Sequence, residues 1–436
     1  MKTPVPDYLE EVLGACAEDD GELADYIPEL ASADPDRLAV ALTTLDGETY
    51  AAGDADERFT VQSISKPFVY ALALADRGLD AVLEAVGTEP SGDPFNEISL
   101  EDHSGRPRNP MINIGAITTH SLVGTPGCTV EERFERVRSG LSAFAGRELE
   151  VDERVFASER AHADRNLALA YMVSSRGIIS EDPAVLVQEY TRQCSVVVDV
   201  RDLSAMAATL ANGGLNPATG VRVLEPWVCR QVLAVMATCG MYDAAGDWLS
   251  SVGIPAKSGV AGGIMGALPG QVGLATFSPR LDGFGNSSRG VRICERLSRD
   301  MGLHLMSLPA TGPSVLRGTG DLVAGDGDGT ARAVLQGAIT FAGAERVLRE
   351  LATIEPGDTL VVLDLSRVSH VDDVGRRMVL EGIRRLSLDG HPITLVDPER
   401  TLPDPDAGDG VRPEVVDRLA DDAPSDPGHT RTRPDS

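Results

Sequence analysis

Phe59-Thr-Val-Gln-Ser63-Ile-Ser-Lys66-Pro-Phe-Val-Tyr-Ala-Leu-Ala-Leu74 is the stretch on which the reading of this chain turns. A short β-type run ends at Gln62, and Val69, Leu72, Ala73 and Asp76 then recur at helical spacing, with Pro67 tolerated in the first turn. Ser63 therefore opens a helix, and Lys66, one turn on, shares its face. An amine held there takes the hydroxyl proton if burial and the helix dipole depress its pKa from about 10.4. Taken alone, a serine at a helix start is more often a cap, and a lysine one turn later more often a solvated charge. Two features change that balance: Lys66 is one of only three lysines, and it stands among apolar residues.

A second lysine, Lys257, lies in Lys257-Ser-Gly259. Lys-Ser/Thr-Gly about two hundred residues after S-x-x-K is the arrangement of serine β-lactamases and penicillin-binding proteins, so the two motifs together argue for an acyl-transfer serine site.

The 436 residues, at roughly 150 per domain, imply two or three domains, and 42% apolar residues fill more than one core. A net charge of −28 repels polyanions, which argues against nucleic acid or an anionic membrane as partner. Codon bias and adaptation of an acidic surface to salt both account for 36 arginines against three lysines. Six scattered cysteines without a C-x-x-C pair are expected as buried free thiols. The N-terminal residues lack a basic stretch followed by an apolar core, which, with the cysteine usage, gives a cytoplasmic expectation. Ser258 to Pro279 runs without a charge for long enough to imitate a membrane span, yet its glycines and Pro269 break it into short apolar groups, as in paired core strands.

From Asp7 to about Leu308 helical-period stretches alternate with β-branched runs, which reads as one large mixed domain (1–308). Turn formers over 309–330 read as a linker. Beyond it come strand 331–335, short strand 338–340, helix 342–354, strand 359–365, helix 373–386 and strand 392–396, an α/β sandwich over 331–402. The Asp-, Pro- and Gly-rich tail 403–436 is expected to be disordered.

The motifs Ala24-Asp-Tyr26-Ile-Pro-Glu-Leu-Ala, Gln62-Ser63-Ile-Ser-Lys66, Asn109-Pro-Met-Ile-Asn113-Ile-Gly-Ala-Ile, Ser158-Glu159-Arg with Asp164-Arg-Asn166, Cys239-Gly-Met-Tyr242-Asp and Ala256-Lys-Ser-Gly-Val260-Ala-Gly-Gly-Ile resemble the serine-dependent glutaminase family over about residues 20–296. The resemblance implies an α/β (α+β) catalytic domain like that of the serine β-lactamases and penicillin-binding proteins, with a central antiparallel sheet and a helical subdomain. It implies a homo-oligomer, dimer or tetramer, hydrolysing L-glutamine without metal or organic cofactor. Ser63 would be nucleophile and Lys66 its proton acceptor, with Tyr26 and Tyr242 as relays and Tyr190 as a further site tyrosine. Asn113, Glu159 and Asn166 would hold the amino-acid end, and the Val260 and Ser63 N–H groups the oxyanion. Independently, an α-ammonium needs a buried carboxylate such as Glu159, and an α-carboxylate needs neutral donors such as Asn and Tyr. Singly, each has a plainer reading: core-edge tyrosines, a surface Glu159–Arg160 pair, a turn asparagine.

Two other classes remain open on these residues, a penicillin-recognising acyltransferase and a regulator acting through the C-terminal unit. That unit resembles a STAS domain through Leu335-Gln-Gly337-Ala-Ile-Thr-Phe341 and Val361-Val-Leu-Asp364 onward to Gly375. Signalling STAS domains carry Asp-Ser-Ser-Gly at the helix start, whereas Asp372-Asp-Val-Gly375 offers no hydroxyl, so assembly with a regulatory partner or ligand is as good an expectation as a phosphoswitch. There is no H-E-x-x-H and no G-x-S-x-G, and Asp326-Gly-Asp-Gly lacks the spacing of a calcium loop.

Overall fold

The computed structural model describes residues 3–18, 21–91, 100–307, 315–316, 323–324, 330–408 and 410–419. The chain divides into two compact units, Val5–Ser307 and a second comprising Leu308–Ser436 with Met1–Pro4.

In the first unit the strands are β1 (Ala39–Thr44), β2 (Thr49–Gly53), β3 (Phe59–Thr60), β4 (Val197–Val198), β5 (Ala256–Ser258), β6 (Gly263–Leu268) and β7 (Val272–Phe277). Five form an antiparallel sheet in the order β2-β1-β7-β6-β5, with Ala41 opposite Ala275, Ala275 opposite Met265, and Met265 opposite Lys257. The uncharged stretch after Lys257 is thus core sheet, buried along the whole of β6 and β7. No helix among the described residues is long and apolar enough to cross a membrane. Helix Val200–Ala211 lies against this sheet, and Gly273 makes that approach possible: a Cβ there would overlap the helix backbone at Ser204 and Ala208. Asp199 caps that helix through a capping box with Asp202.

The helices Asn113–His120, Asp164–Ser175 and Pro183–Cys194 form a second layer with its own apolar cluster around Ile114, Ile117, Leu169, Val173, Leu186 and Tyr190, whereas Val137, Leu141 and Phe144 of helix Val130–Ala145 belong to the main core. Between the layers β3 pairs with β4, Phe59 opposite Val198, and Phe59 stacks on Phe277 with ring centroids 4.1 Å apart. All six cysteines are free, and all but Cys128 are buried.

The second unit has β8 (Val323–Ala324), β9 (Thr330–Ile339), β10 (Leu360–Val371), β11 (Ile393–Val396) and β12 (Glu414–Val416) in the order β12-β11-β10-β9-β8. The pairs β9–β10, β10–β11 and β11–β12 are parallel, whereas β8 runs antiparallel to β9. Helices Phe341–Leu351 and Asp373–Leu388 contribute Leu348, Leu351, Ile383 and Leu386 to its interior. Two strands expected at 331–335 and 338–340 are one: Gly337, at φ +72°, meets an irregularity in β10 near Val368, so the ladder passes through what reads as a break. β10 also runs on to Val371, six residues past its expected end at 365. The tail expected to be disordered from 403 contributes β12, its backbone paired beside β11. Residues 420–436, and most of the linker expected at 309–330, lie outside the described residues.

Candidate active site

The helix read as opening at Ser63 begins two residues later, at Ser65, and Gln62–Ile64 forms a 3-10 turn ahead of it. Gln62 adopts φ +47°, a left-handed conformation that costs a non-glycine residue of order 1–3 kcal/mol. It is held from both ends. Its carbonyl accepts from Ser65 Oγ at 2.8 Å, and its Nε2 donates to Thr60 Oγ1 and Glu159 Oε1, each at 3.1 Å. The strain therefore sits immediately before Ser63, where the sequence, lacking a glycine, gives no sign of it.

Ser63 opens onto a cavity of about 360 Å³ lined by Tyr26, Gln62, Asn113, Glu159, Asn166, Tyr190 and Val260 among others. Seven of the nine site residues singled out from the sequence thus meet at one cavity. Lys66 and Tyr242 do not line it; they stand behind Ser63. Lys66 is 1% exposed, and its Nζ donates to Asn113 Oδ1 at 2.7 Å and to the Met111 carbonyl at 3.2 Å. Burial without a countercharge pulls its pKa down from 10.5 to about 7.

Tyr242 is buried at φ +54°, with Lys257 Nζ 3.6 Å and Lys66 Nζ 5.8 Å from its ring centroid. Burial raises its phenol pKa, and the neighbouring Ser63 and Ser258 side chains work in the opposite direction. Lys257, whose Nζ donates to the Ser258 carbonyl at 2.8 Å, is pushed well below its ordinary pKa by burial and then by Lys66. Two neighbouring buried amines cannot both carry a proton cheaply, so the pair keeps uncharged base available.

At the other end of the cavity Tyr26, its ring partly exposed, turns its hydroxyl inward and donates to Glu159 Oε1 at 2.8 Å. Rather than forming a surface pair, Glu159 bonds Tyr26 and Gln62 through Oε1, while Arg160 lies over the Phe156 ring, 5.7 Å from its centroid. Burial raises the Glu159 pKa against the bonds from Tyr26 and Gln62 and the nearby His162. Asn113 Nδ2 donates to Asn166 Oδ1 at 3.1 Å, so one asparagine joins Lys66 to the far wall. Gly262, at φ +101°, brings the loop after Val260 against Ser278 and Pro279, where a Cβ would overlap backbone. Cys194, Thr191, His162 and Arg165 also line the cavity and were not singled out from the sequence.

The Glutaminase family model matches residues 21–306. A glutaminase of Corynebacterium efficiens is 49% identical over 418 residues, covering 96% of this chain and 98% of that protein. One from Corynebacterium glutamicum is 51% identical over 412 residues, covering 94% and 98%. Among solved structures, the crystal structure of Mglu superimposes with a TM-score of 0.71 at 50% identity, covering 92% of this chain and all of that one. Mglu in its L-glutamate binding form in the presence of 4.3 M NaCl gives 0.70 at 46% identity, with the same coverage. A mixed α/β fold with this cavity, and matches of this extent, define an amidohydrolase. The chain belongs to the glutaminase family.

Proposed function

We propose that this glutaminase converts L-glutamine to L-glutamate and ammonia through an acyl-enzyme on Ser63, with Lys66 as base. The observation that carries the mechanism is the Lys66 amine, buried one turn from a cavity-lining serine and brought to a pKa of about 7. Ser63 Oγ attacks the side-chain carboxamide carbon, and its proton passes to Lys66, with Tyr242, which stands beside Ser63, as relay. The N–H groups of Ser63 and Val260 hold the oxyanion. The C–N bond then breaks, the departing nitrogen takes the proton and leaves as ammonia, and water cleaves the glutamyl ester by the reverse proton path. Glu159 receives the α-ammonium, Tyr26 and Gln62 orient that carboxylate, and Asn113, Asn166 and Tyr190 address the α-carboxylate end. Ammonia release measured on L-glutamine and L-asparagine side by side, with the Ser63→Ala chain as control, tests this reading.

The antiparallel sheet with a helical layer at its serine side supports a β-lactamase-like fold for the catalytic domain, proposed at 1–308. For 331–402 we propose a STAS-like domain, supported by three consecutive parallel strands, β9 to β11, alternating with two helices. Its helix start is capped by Asp372, which accepts from the Gly375 N–H at 2.6 Å, and the turn has no hydroxyl to phosphorylate. A role in assembly or in holding a regulatory ligand suits that turn better than a phosphoswitch. A cytoplasmic homo-oligomer completes the proposal, checked by sedimentation of the full chain.

A further inference from the structure

Behind the nucleophile runs a chain of buried polar side chains that the reaction scheme leaves unused. Gln193, on the inner side of the helix that presents Tyr190, Thr191 and Cys194 to the cavity, donates from Nε2 to Ser65 Oγ at 2.8 Å. Ser65 Oγ in turn donates to the Gln62 carbonyl at 2.8 Å. In the other direction Gln193 Oε1 lies 2.7 Å from His120 Nδ1, and His120 Nε2 lies 3.3 Å from Glu189 Oε2. Arg133 joins Glu189 at 3.1 Å to Glu181 at 2.6 Å, and only Glu181 is appreciably exposed. Ser65, His120 and Gln193 have no solvent exposure at all.

The direction of the links near the nucleophile is determined. The Ser65 hydrogen is committed to a carbonyl, which can only accept, so Ser65 must accept from the Gln193 amide. That turns the Gln193 oxygen toward His120 and requires the hydrogen on His120 Nδ1. The chain ends on Gln62, the residue held in a left-handed turn just before Ser63. The side chain of Gln62 is separately anchored on Thr60 and Glu159. Its backbone is thus fixed from the His120 side while its amide is fixed at the other end of the substrate cavity.

We propose that His120, Gln193 and Ser65 are positioning residues for the hydrolysis: they lock the Gln62 carbonyl in the turn that aims Ser63 Oγ and the Ser63 N–H at the substrate. The proposal rests on Ser63 being the nucleophile. Because the anchors of Gln62 on Thr60 and Glu159 survive loss of the chain, substrate should still bind while the attacking atom is misplaced, and a misplacement of about 1 Å costs on the order of a hundredfold in rate.

The test uses the full chain with Ser65→Ala, His120→Leu and His120→Asn, measuring kcat and KM for L-glutamine by ammonia release, L-glutamate affinity by calorimetry, and Tm. Ser65→Ala and His120→Leu should lower kcat roughly ten- to hundredfold, with KM and the L-glutamate Kd within about threefold of the parent. His120→Asn, whose side-chain amide can donate to Gln193 Oε1 as Nδ1–H does, should recover kcat to within about threefold. A structural role alone would lower Tm without this split and without rescue. The inference is overturned if kcat stays within about twofold of the parent in Ser65→Ala, if KM rises while kcat holds, or if His120→Asn is no better than His120→Leu. Should His120→Leu fail to fold, Ser65→Ala, which removes one oxygen, decides alone. An active Ser63→Ala chain would instead break the nucleophile reading, whereas an inactive Ser63→Ala beside a fully active Ser65→Ala breaks only the positioning inference.

Discussion

Buried charges in the second unit are paired, as Arg133 and Glu189 are in the first, but the two buried lysines of the first unit are treated in the opposite way. In the second unit Asp364 sits 2.7 Å from Arg332, and buried Glu345 faces Arg349 at 3.8 Å. Asp397 accepts from the Thr401 N–H, the Thr401 hydroxyl and the Leu402 N–H. Although burial alone would raise it, the Asp364 pKa is held below its ordinary value by Ser366 and Arg332. In the first unit Lys66 and Lys257 are as deeply buried, and among the described residues neither meets a carboxylate; each has only neutral oxygens. The second arrangement stabilises a fold, whereas the first keeps an amine uncharged at a cost to stability. Buried amines left without a countercharge stand where the chemistry is proposed.

The strongest way to break that contrast is to remove the group the amine serves. Ser63→Ala should lower ammonia release by about a thousandfold or more with an unchanged circular dichroism spectrum, since a small half-buried hydroxyl contributes little to packing. Lys66→Arg should be nearly as damaging, because a guanidinium stays charged near neutral pH. Activity close to the parent in either variant removes that residue from the mechanism.

Glu159, proposed to receive the α-ammonium, carries the contrast to the other end of the cavity, since its carboxylate is buried with hydrogen bonds from Tyr26 and Gln62. Losing one partner of a buried charge pair costs on the order of 3 to 5 kcal/mol, so Glu159→Gln should raise KM for L-glutamine by at least about a hundredfold while slowing bound substrate less. Steady-state kinetics that leave KM unchanged would separate Glu159 from the substrate.

A smaller effect follows from the depressed Lys66 pKa. As the proposed base Lys66 would act only when neutral, and burial draws its pKa from 10.5 to about 7. Acidification therefore removes the active form: kcat/KM should fall about tenfold for each pH unit below that value and level off above it. A profile still climbing toward pH 10 would mean that Lys66 retains its ordinary basicity and that the contrast between the units is not electrostatic.

How much of this was readable from the chain depends on how far apart the partners lie. Ser63 and Lys66 are one turn apart, so their spacing was enough, and the alternation of apolar groups with turn formers after Ser258 was enough to distinguish sheet from membrane span. The helix start was misplaced by two residues because a 3-10 turn and the first turn of an α-helix share a side-chain pattern. The left-handed Gln62 left no trace, since such positions are recognised by glycine or asparagine and here tertiary bonds hold a glutamine. His120, Gln193 and Glu189 come together from two helices some 70 residues apart, and each in isolation reads as an ordinary surface residue. In the second unit, Gly337 looked like a strand end because local propensity penalises glycine, while the parallel ladder from Thr330 to Ile339 depends on a partner strand that local propensity does not report.

The smallest expected effect is also the one that tests whether the two interiors are independent. Every residue assigned a role, from Tyr26 to Val260, falls within Val5–Ser307, and this unit carries its own sheet, helical layer and apolar clusters. The second unit likewise encloses its own cluster, including Leu335, Leu363, Ile383 and Leu395. Two cores that each exclude water can fold separately, so a chain ending at Leu308 should keep kcat within about twofold of the parent. Its assembly state can change while its turnover does not, because the residues proposed to carry turnover, Ser63, Lys66 and Tyr242, are all buried or half-buried within the retained unit. The measurement is kcat per folded molecule, alongside circular dichroism and sedimentation. A truncated chain that folds yet loses turnover would mean that the paired, silent charges of the second unit bear on the unpaired amines of the first.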